Sequence, residues 1–360
     1  MRIAIIGTGN IGCTLSADLS NKGHEVTLVK SSKTYRSRNY DYIKEHGGIR
    51  VLDPYIGEYY SRIHCCDSGN EKTIIPDADV VIITVQTNYH ENLIRDISPY
   101  FRHGQALIFE PGYLSTCYVL KHCSDKDIIV IEAESSPIDC RVDGEGQSNI
   151  LFKNVMNPFG VYPKKNKTEA EVILNSLKYP YRFTTSVFEA ALHNPNLVVH
   201  TVGAIFSIPR IEYTKGEYWM YKEVFTPHIW NICEELDGEK MEVLSAIGVT
   251  NRQSYVEACK ERNFLNDNRA PLDCFYDYAN NSSPKGPDIP DSRYITEDVS
   301  QGLVLLESLG QLFHVSTPTC SSLITLASKA LNRDFRNEGR TVEKLGENMV
   351  RAILDDGFLV

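Results

Sequence analysis

No apolar run in this 360-residue chain approaches the ~20 residues that a membrane-spanning helix requires. A secretory leader is not expected either, because Met1 to Gly12 reads as a strand and a turn, with no basic region and no cleavage site. The ten cysteines form no C-x-x-C pair, and the adjacent Cys65 and Cys66 lack the spacing of a zinc site. Scattered thiols of this kind read as reduced side chains of a cytoplasmic protein. Basic residues are in deficit: 37 lysines and arginines face 47 acids, a net charge of -10. Phosphate backbones need a basic footprint, so nucleic acid is excluded as the main partner. Internal repeats and low-complexity tracts are missing as well.

With 42% hydrophobic and 23% charged residues, the chain has an ordinary globular composition and length for two domains. Its first half alternates short β-branched runs with helical stretches. Strands are predicted at Arg2–Ile6, Glu25–Val29, Val80–Val85, Ala106–Phe109 and Ile128–Ile131, with one or two more between Ile150 and Tyr162. Ile11, Leu15 and Leu19 mark one apolar helical face, ended by Gly23, and a further helix is expected at Thr168–Leu177. Such alternation predicts an α/β fold, a parallel doubly wound Rossmann sheet over residues 1–180 closed by Pro180. Residues 181–360 read as an all-α domain, with helices near Glu217–Ile247, Arg252–Arg262, Val299–Phe313 and Cys320–Leu331. A polar, proline-rich loop, Asn280–Asp291, interrupts them, and loops of this kind often border active sites.

Gly7-Thr8-Gly9-Asn10-Ile11-Gly12 is G-x-G-x-x-G, placed directly after a strand and opening a helix. Gly7 permits the tight turn, Gly9 lets backbone approach a pyrophosphate, and Gly12 lets helix and strand pack closely. The helix N-terminus then receives the anion. The turn, with Val85 at the end of a neighbouring strand, is read as the dinucleotide site. NAD-selective versions end the second strand with an acid that binds the ribose 2′-OH. Here Lys30, Ser31, Ser32 and Arg36 stand there instead, and cations with hydroxyls suit a 2′-phosphate. NADP(H) is therefore favoured over NAD(H).

Three strings in the second half carry more. Asn194 to His200 reads N-P-N-L-V-V-H, Arg293 to Val299 reads R-Y-I-T-E-D-V, and Glu338 to Gly346 reads E-G-R-T-V-E-K-L-G. Together with Ala133 to Pro137, Cys140-Arg141 and the Rossmann start, the chain resembles the opine dehydrogenase family, the octopine/nopaline dehydrogenase-like enzymes. The resemblance spans nearly the whole chain in order. It implies reductive condensation: an α-keto acid and the amino group of an amino acid form an imine, which is reduced to a secondary amine. It also implies His200 and Asp298 as the catalytic pair, with Arg293 and Asn196 as substrate binders. Thr201 stands where family members often carry proline.

That chemistry suits the residue types. Histidine gives and takes protons near neutral pH, a carboxylate fixes its tautomer, and arginine grips planar carboxylates with two parallel hydrogen bonds. Asp298 could equally open the helix of the apolar run that follows it. Arg340 is read as structural, tying down the C-terminal helices. A ketopantoate-reductase-like hydroxyacid reductase would need a lysine near Ala190 to Ile208, and none is present. A non-catalytic NADP(H) sensor should have lost the His, Asp and Arg set. No motif names the keto acid or the amine, and a homodimer stays open. Because the nicotinamide and His200 belong to different halves, the halves are expected to close on each other.

Overall fold

The computed structural model describes residues 1–34, 37–143 and 146–359. Its strands, in chain order, are β1 (Arg2–Ile6), β2 (Glu25–Val29), β3 (Gly48–Asp53), β4 (Gly57–Arg62), β5 (His64–Cys66), β6 (Val80–Ile83), β7 (Ala106–Phe109), β8 (Ile129–Ala133), β9 (Ile138–Val142), β10 (Gln147–Lys153), β11 (Asn157–Tyr162) and β12 (Tyr181–Phe183). Eight of them form one sheet, ordered β12-β11-β8-β7-β6-β1-β2-β5. Strands β6, β7 and β8 are buried on both faces, which is why they read as continuous apolar runs rather than alternating ones.

Seven helices position the site: α1 (Asn10–Asn21), α2 (Thr116–His122), α3 (Asn196–Phe206), α4 (Pro227–Ile247), α5 (Tyr255–Phe264), α6 (Val304–Leu312) and α7 (Glu347–Asp356). Helices α3 to α6 belong to the helical half. Helix α7 returns to the sheet half and packs on α2, and Leu359 N–H donates to Thr185 O at 2.7 Å.

Several expectations need correction. The large sheet is not wholly parallel, since β11 runs antiparallel to β8. Its edge strand β12 lies just beyond Pro180 and pairs with β11, so the sheet outlasts the expected boundary. Strand β6 stops at Ile83, which releases Thr84 and Val85 into a loop. A second sheet, β4-β3-β10-β9, was not expected. It covers the far side of α1, so that Gly12 to Leu19 are buried without a break. The polar side chains of that face are satisfied by the new sheet: Thr14 Oγ1 lies 2.6 Å from Ser148 Oγ, and Lys153 Nζ donates to Asp18 at 2.8 Å. The expected helix Glu217–Ile247 is interrupted, and α4 restarts with Pro227 in its first turn, where a missing N–H costs nothing. Before α6 the backbone widens into a π-helix, Asp298–Leu303.

The two halves share one apolar core. Ile83 and Phe109 of the sheet join Leu197, Trp230, Leu303 and Val350 in a single buried cluster.

Candidate active site

A cleft of about 390 Å³ runs between the halves. The phosphate turn forms one wall. Gly7 adopts φ +131°, which side chains rarely tolerate, and a Cβ on Gly12 would meet Gly7 O at 1.8 Å. Gly9 is different: a Cβ there would meet nothing within 4 Å, because the residue faces open cleft. Gly9 caps α1 with no side-chain bond, and the first turn carries no acid, so the leading N–H groups and the helix dipole are left for an anion. Asn10 and Ile11 line the cleft, and Asn10 Oδ1 accepts from Val142 N–H at 3.1 Å. Thr8 is buried, its carbonyl accepting from Ser37 Oγ at 2.9 Å. This geometry fits a dinucleotide pyrophosphate.

Val85 lines the cleft, whereas Lys30, Ser31 and Ser32 lie beyond its walls after β2. Lys30 Nζ sits 5.7 Å over the Tyr40 ring, and Ser32 Oγ lies 3.4 Å from Thr34 Oγ1. Arg36 lies outside the described residues. Asp67, after β5, accepts from the Tyr40 hydroxyl at 2.9 Å and pairs with Lys44 at 2.6 Å.

The facing wall comes from the helical half. His200 sits within α3, and Asp298 opens the π-helix. The two are 98 positions apart in sequence, yet His200 Nδ1 lies 2.8 Å from Asp298 Oδ2. Tyr113, from the loop after β7, donates its hydroxyl to Asp298 Oδ1 at 3.0 Å. The imidazole stacks on Tyr294, with centroids 3.8 Å apart and planes within 6°. Thr201, in the proline position, donates to Leu197 O at 2.6 Å and leaves the helix unbroken. Asn196 lines the cleft at the start of α3.

Burial disfavours charge on both members of the pair. It holds the His200 imidazole well below its ordinary 6.5, aided by Arg293, and pushes the Asp298 carboxyl up to about 7 against Arg293 and Tyr113. Such a pair is poised to take up or release one proton near neutral pH. Its bond at Nδ1 leaves Nε2 as the imidazole nitrogen available to the cleft.

Arg293 lines the cleft with 46% of its side chain exposed and lies 3.7 Å from Glu297. Glu297 in turn accepts from Thr87 N–H at 2.8 Å and Thr87 Oγ1 at 2.9 Å, binding the helical half to the loop after β6. Arg340 is fully buried and makes the same join more strongly. It donates to Gly112 O and Thr87 O at 2.7 Å each, and also to Tyr113 O. The arginine expected to tie down helices thus holds the loops beneath the His200–Asp298 pair.

Tyr113, Tyr294 and Glu297 went unassigned from sequence. Tyr294 and Glu297 sat inside the R-Y-x-x-E-D string, so its spacing held the signal. Tyr113 had none, because only the fold brings its loop beneath Asp298. Pro284, in the proline-rich loop, does border the cleft.

Residues 184–331 match the family model described as NAD/NADP octopine/nopaline dehydrogenase, alpha-helical domain. An opine dehydrogenase of Arthrobacter sp. (strain 1C) is 29% identical over 352 residues, covering 95% of this chain and 94% of the relative. Over nearly its whole length the chain is similar to the opine dehydrogenases. It is an NAD(P)-dependent oxidoreductase. Other opine dehydrogenase relatives agree in length: a vitopine synthase of Allorhizobium ampelinum is 25% identical, with 98% of each chain covered. In fold the chain is similar to an octopine dehydrogenase solved with NADH and agmatine, with TM-score 0.76, 18% identity and 98% of each chain covered. Residues 3–110 match the ketopantoate reductase model, which spans the first part of the nucleotide-binding half.

Proposed function

We propose that the enzyme condenses an α-keto acid with the amino group of an amino acid and reduces the imine, using NADPH in preference to NADH. The observation that carries this reading is the His200–Asp298 pair, 2.8 Å apart, in a cleft that also holds Gly9 and Arg293. Keto acid and amine lose water to give the imine. Gly7 to Gly12 would hold the dinucleotide, which would supply the hydride when bound. One proton must also reach the imine nitrogen, and His200 Nε2 is the group placed to deliver it, while Asp298 holds the ring and supports its charged form. Arg293, with Asn196 nearby on the same cleft, binds a substrate carboxylate. Lys30, Ser31 and Ser32 after β2, with no acid on that strand end, support the preference for a 2′-phosphate.

The test is a matrix of keto acids against amino acids, following loss of NADPH absorbance. Turnover should require both partners. Brisk oxidation with the keto acid alone would indicate a hydroxyacid reductase instead. Fluorescence titration should show NADPH bound more tightly than NADH, and equal affinities would remove the cofactor preference while leaving the reaction standing.

A further inference from the structure

Three guanidinium groups line the cleft, those of Arg141, Arg262 and Arg293. Arg141 and Arg293 both act on the His200 imidazole, so they stand with the reacting centre and suffice for the two α-carboxylates of a condensation. Arg262 is surplus to that need. It comes from α5, is 6% exposed, and is bordered by Tyr255 and Tyr278. Among the described residues its side chain makes one hydrogen bond, from Nη1 to Glu134 Oε1 at 2.7 Å.

The carboxyl groups of the cleft already have partners or lack charge. Asp139 accepts from Arg141 at 3.3 Å and from the Tyr278 hydroxyl at 3.4 Å, and Glu297 is held by Thr87 and Arg293. Glu110 is buried without a partner at Oε2, and burial pushes it up to about 8, so it is uncharged at neutral pH. Glu134 cancels Arg262 incompletely. Its Oε2 is unpartnered, and burial raises the carboxyl to about 7 despite Arg262, Arg182 and Lys240.

We propose that Arg262 receives a third carboxylate, so that one of the two condensing substrates is a dicarboxylic acid. The assignment rests on the condensation reading above. A buried, pre-oriented guanidinium with donors to spare recognises a carboxylate through paired, charge-assisted hydrogen bonds. The diacid can enter as the keto acid or as the amino acid, and the two sources separate experimentally.

The experiment compares kcat/KM for near-isosteric substrates with the wild-type enzyme. On one arm, 2-oxoglutarate is set against 2-oxopentanoate with a neutral amine. On the other, glutamate is set against glutamine with pyruvate. One arm should favour the diacid by about ten- to a hundredfold, the value of charge-assisted hydrogen bonds. That ratio should fall towards one, mainly through KM, in Arg262→Gln combined with Glu134→Gln, which removes both buried charges together. Preference for the uncharged substrate on both arms, for a basic amine, or an unchanged ratio in the double variant would overturn the assignment. Failure of every keto acid and amine pair would instead reject the condensation reading itself.

Discussion

Replacing His200 by alanine removes the one imidazole bonded to Asp298, and kcat should fall about 10²- to 10⁴-fold, the usual contribution of a general acid–base group. Asp298→Ala should fall steeply too, and the double variant should be little worse than either, because residues acting as one unit fail together. Retention of more than about a tenth of wild-type kcat by His200→Ala would place the proton donor elsewhere. Asp298→Asn gives a second reading. Reduction consumes a proton, so wild-type kcat should decline as pH rises through about 7, where the Asp298 carboxyl titrates. The amide cannot titrate, and that limb should flatten or move. Glu110 supports a stability prediction instead. Between its ordinary 4.5 and about 8 the folded state keeps a proton that the unfolded state releases, so its contribution to stability falls as pH rises through that window. Glu110→Gln should match wild type in urea unfolding at about pH 5 and exceed it at about pH 9, and identical slopes would refute the assignment.

At the scale of elements, the three glycines of the phosphate turn should separate by role. Gly12→Ala forces a Cβ against Gly7 O, so it should lower Tm as well as cofactor affinity. Gly9→Ala meets open space, so Tm should hold while NADPH affinity drops, because the methyl occupies ground the pyrophosphate needs. Equal Tm losses in the two variants would contradict this division. The turn was legible from sequence because its geometry is local: a strand, three glycines and a helix in twelve residues. The second sheet was not, since Gly48–Asp53 and Gly57–Arg62 mix tyrosine and charge and bury one face against α1, and β3 finds its partner β10 only far along the chain, where Arg50 faces Gln147. The π-helix was also invisible, because Val299 to Leu306 carries an apolar run equally compatible with an α-helix. Widening there accompanies a close contact: a Cβ on Gly302 would lie 3.2 Å from the Tyr113 ring, the side chain that donates to Asp298. His200, Asp298 and Arg293 were found through family strings, whereas Tyr113 and Arg262 are joined to the site only by the fold.

For the whole molecule, the expected closing of the two halves on each other would have to work against a join that the structure already builds. The core is continuous across the halves, and Arg340, Glu297 and Arg262 each bond across the join. Small-angle scattering should therefore show little change in size when NADPH and substrates are added. Arg340→Ala removes a donor shared by three buried carbonyls, of which Gly112 O keeps Ser115 and Thr87 O keeps His90 N–H, and should cost roughly 2–4 kcal/mol in urea unfolding. Arg340→Lys should recover only a minor part, because an ammonium cannot fork to Thr87, Gly112 and Tyr113 at once. A near-neutral Arg340→Ala would mean that the join is held by apolar packing alone.

The placement of α7 has a consequence for biosynthesis. Helix α2 precedes α7 by most of the chain, so during translation the face of α2 that α7 covers emerges long before α7 is made. Val350 and Ile353, fully buried in the shared core, leave the ribosome long after Thr116–His122. The nascent Rossmann half must therefore wait with part of its surface sticky, a state that invites chaperone capture and punishes premature termination. Ribosome-stalled chains ending before Glu347 should stay protease-sensitive around Thr116–His122, and release of the longer product should close that window at once.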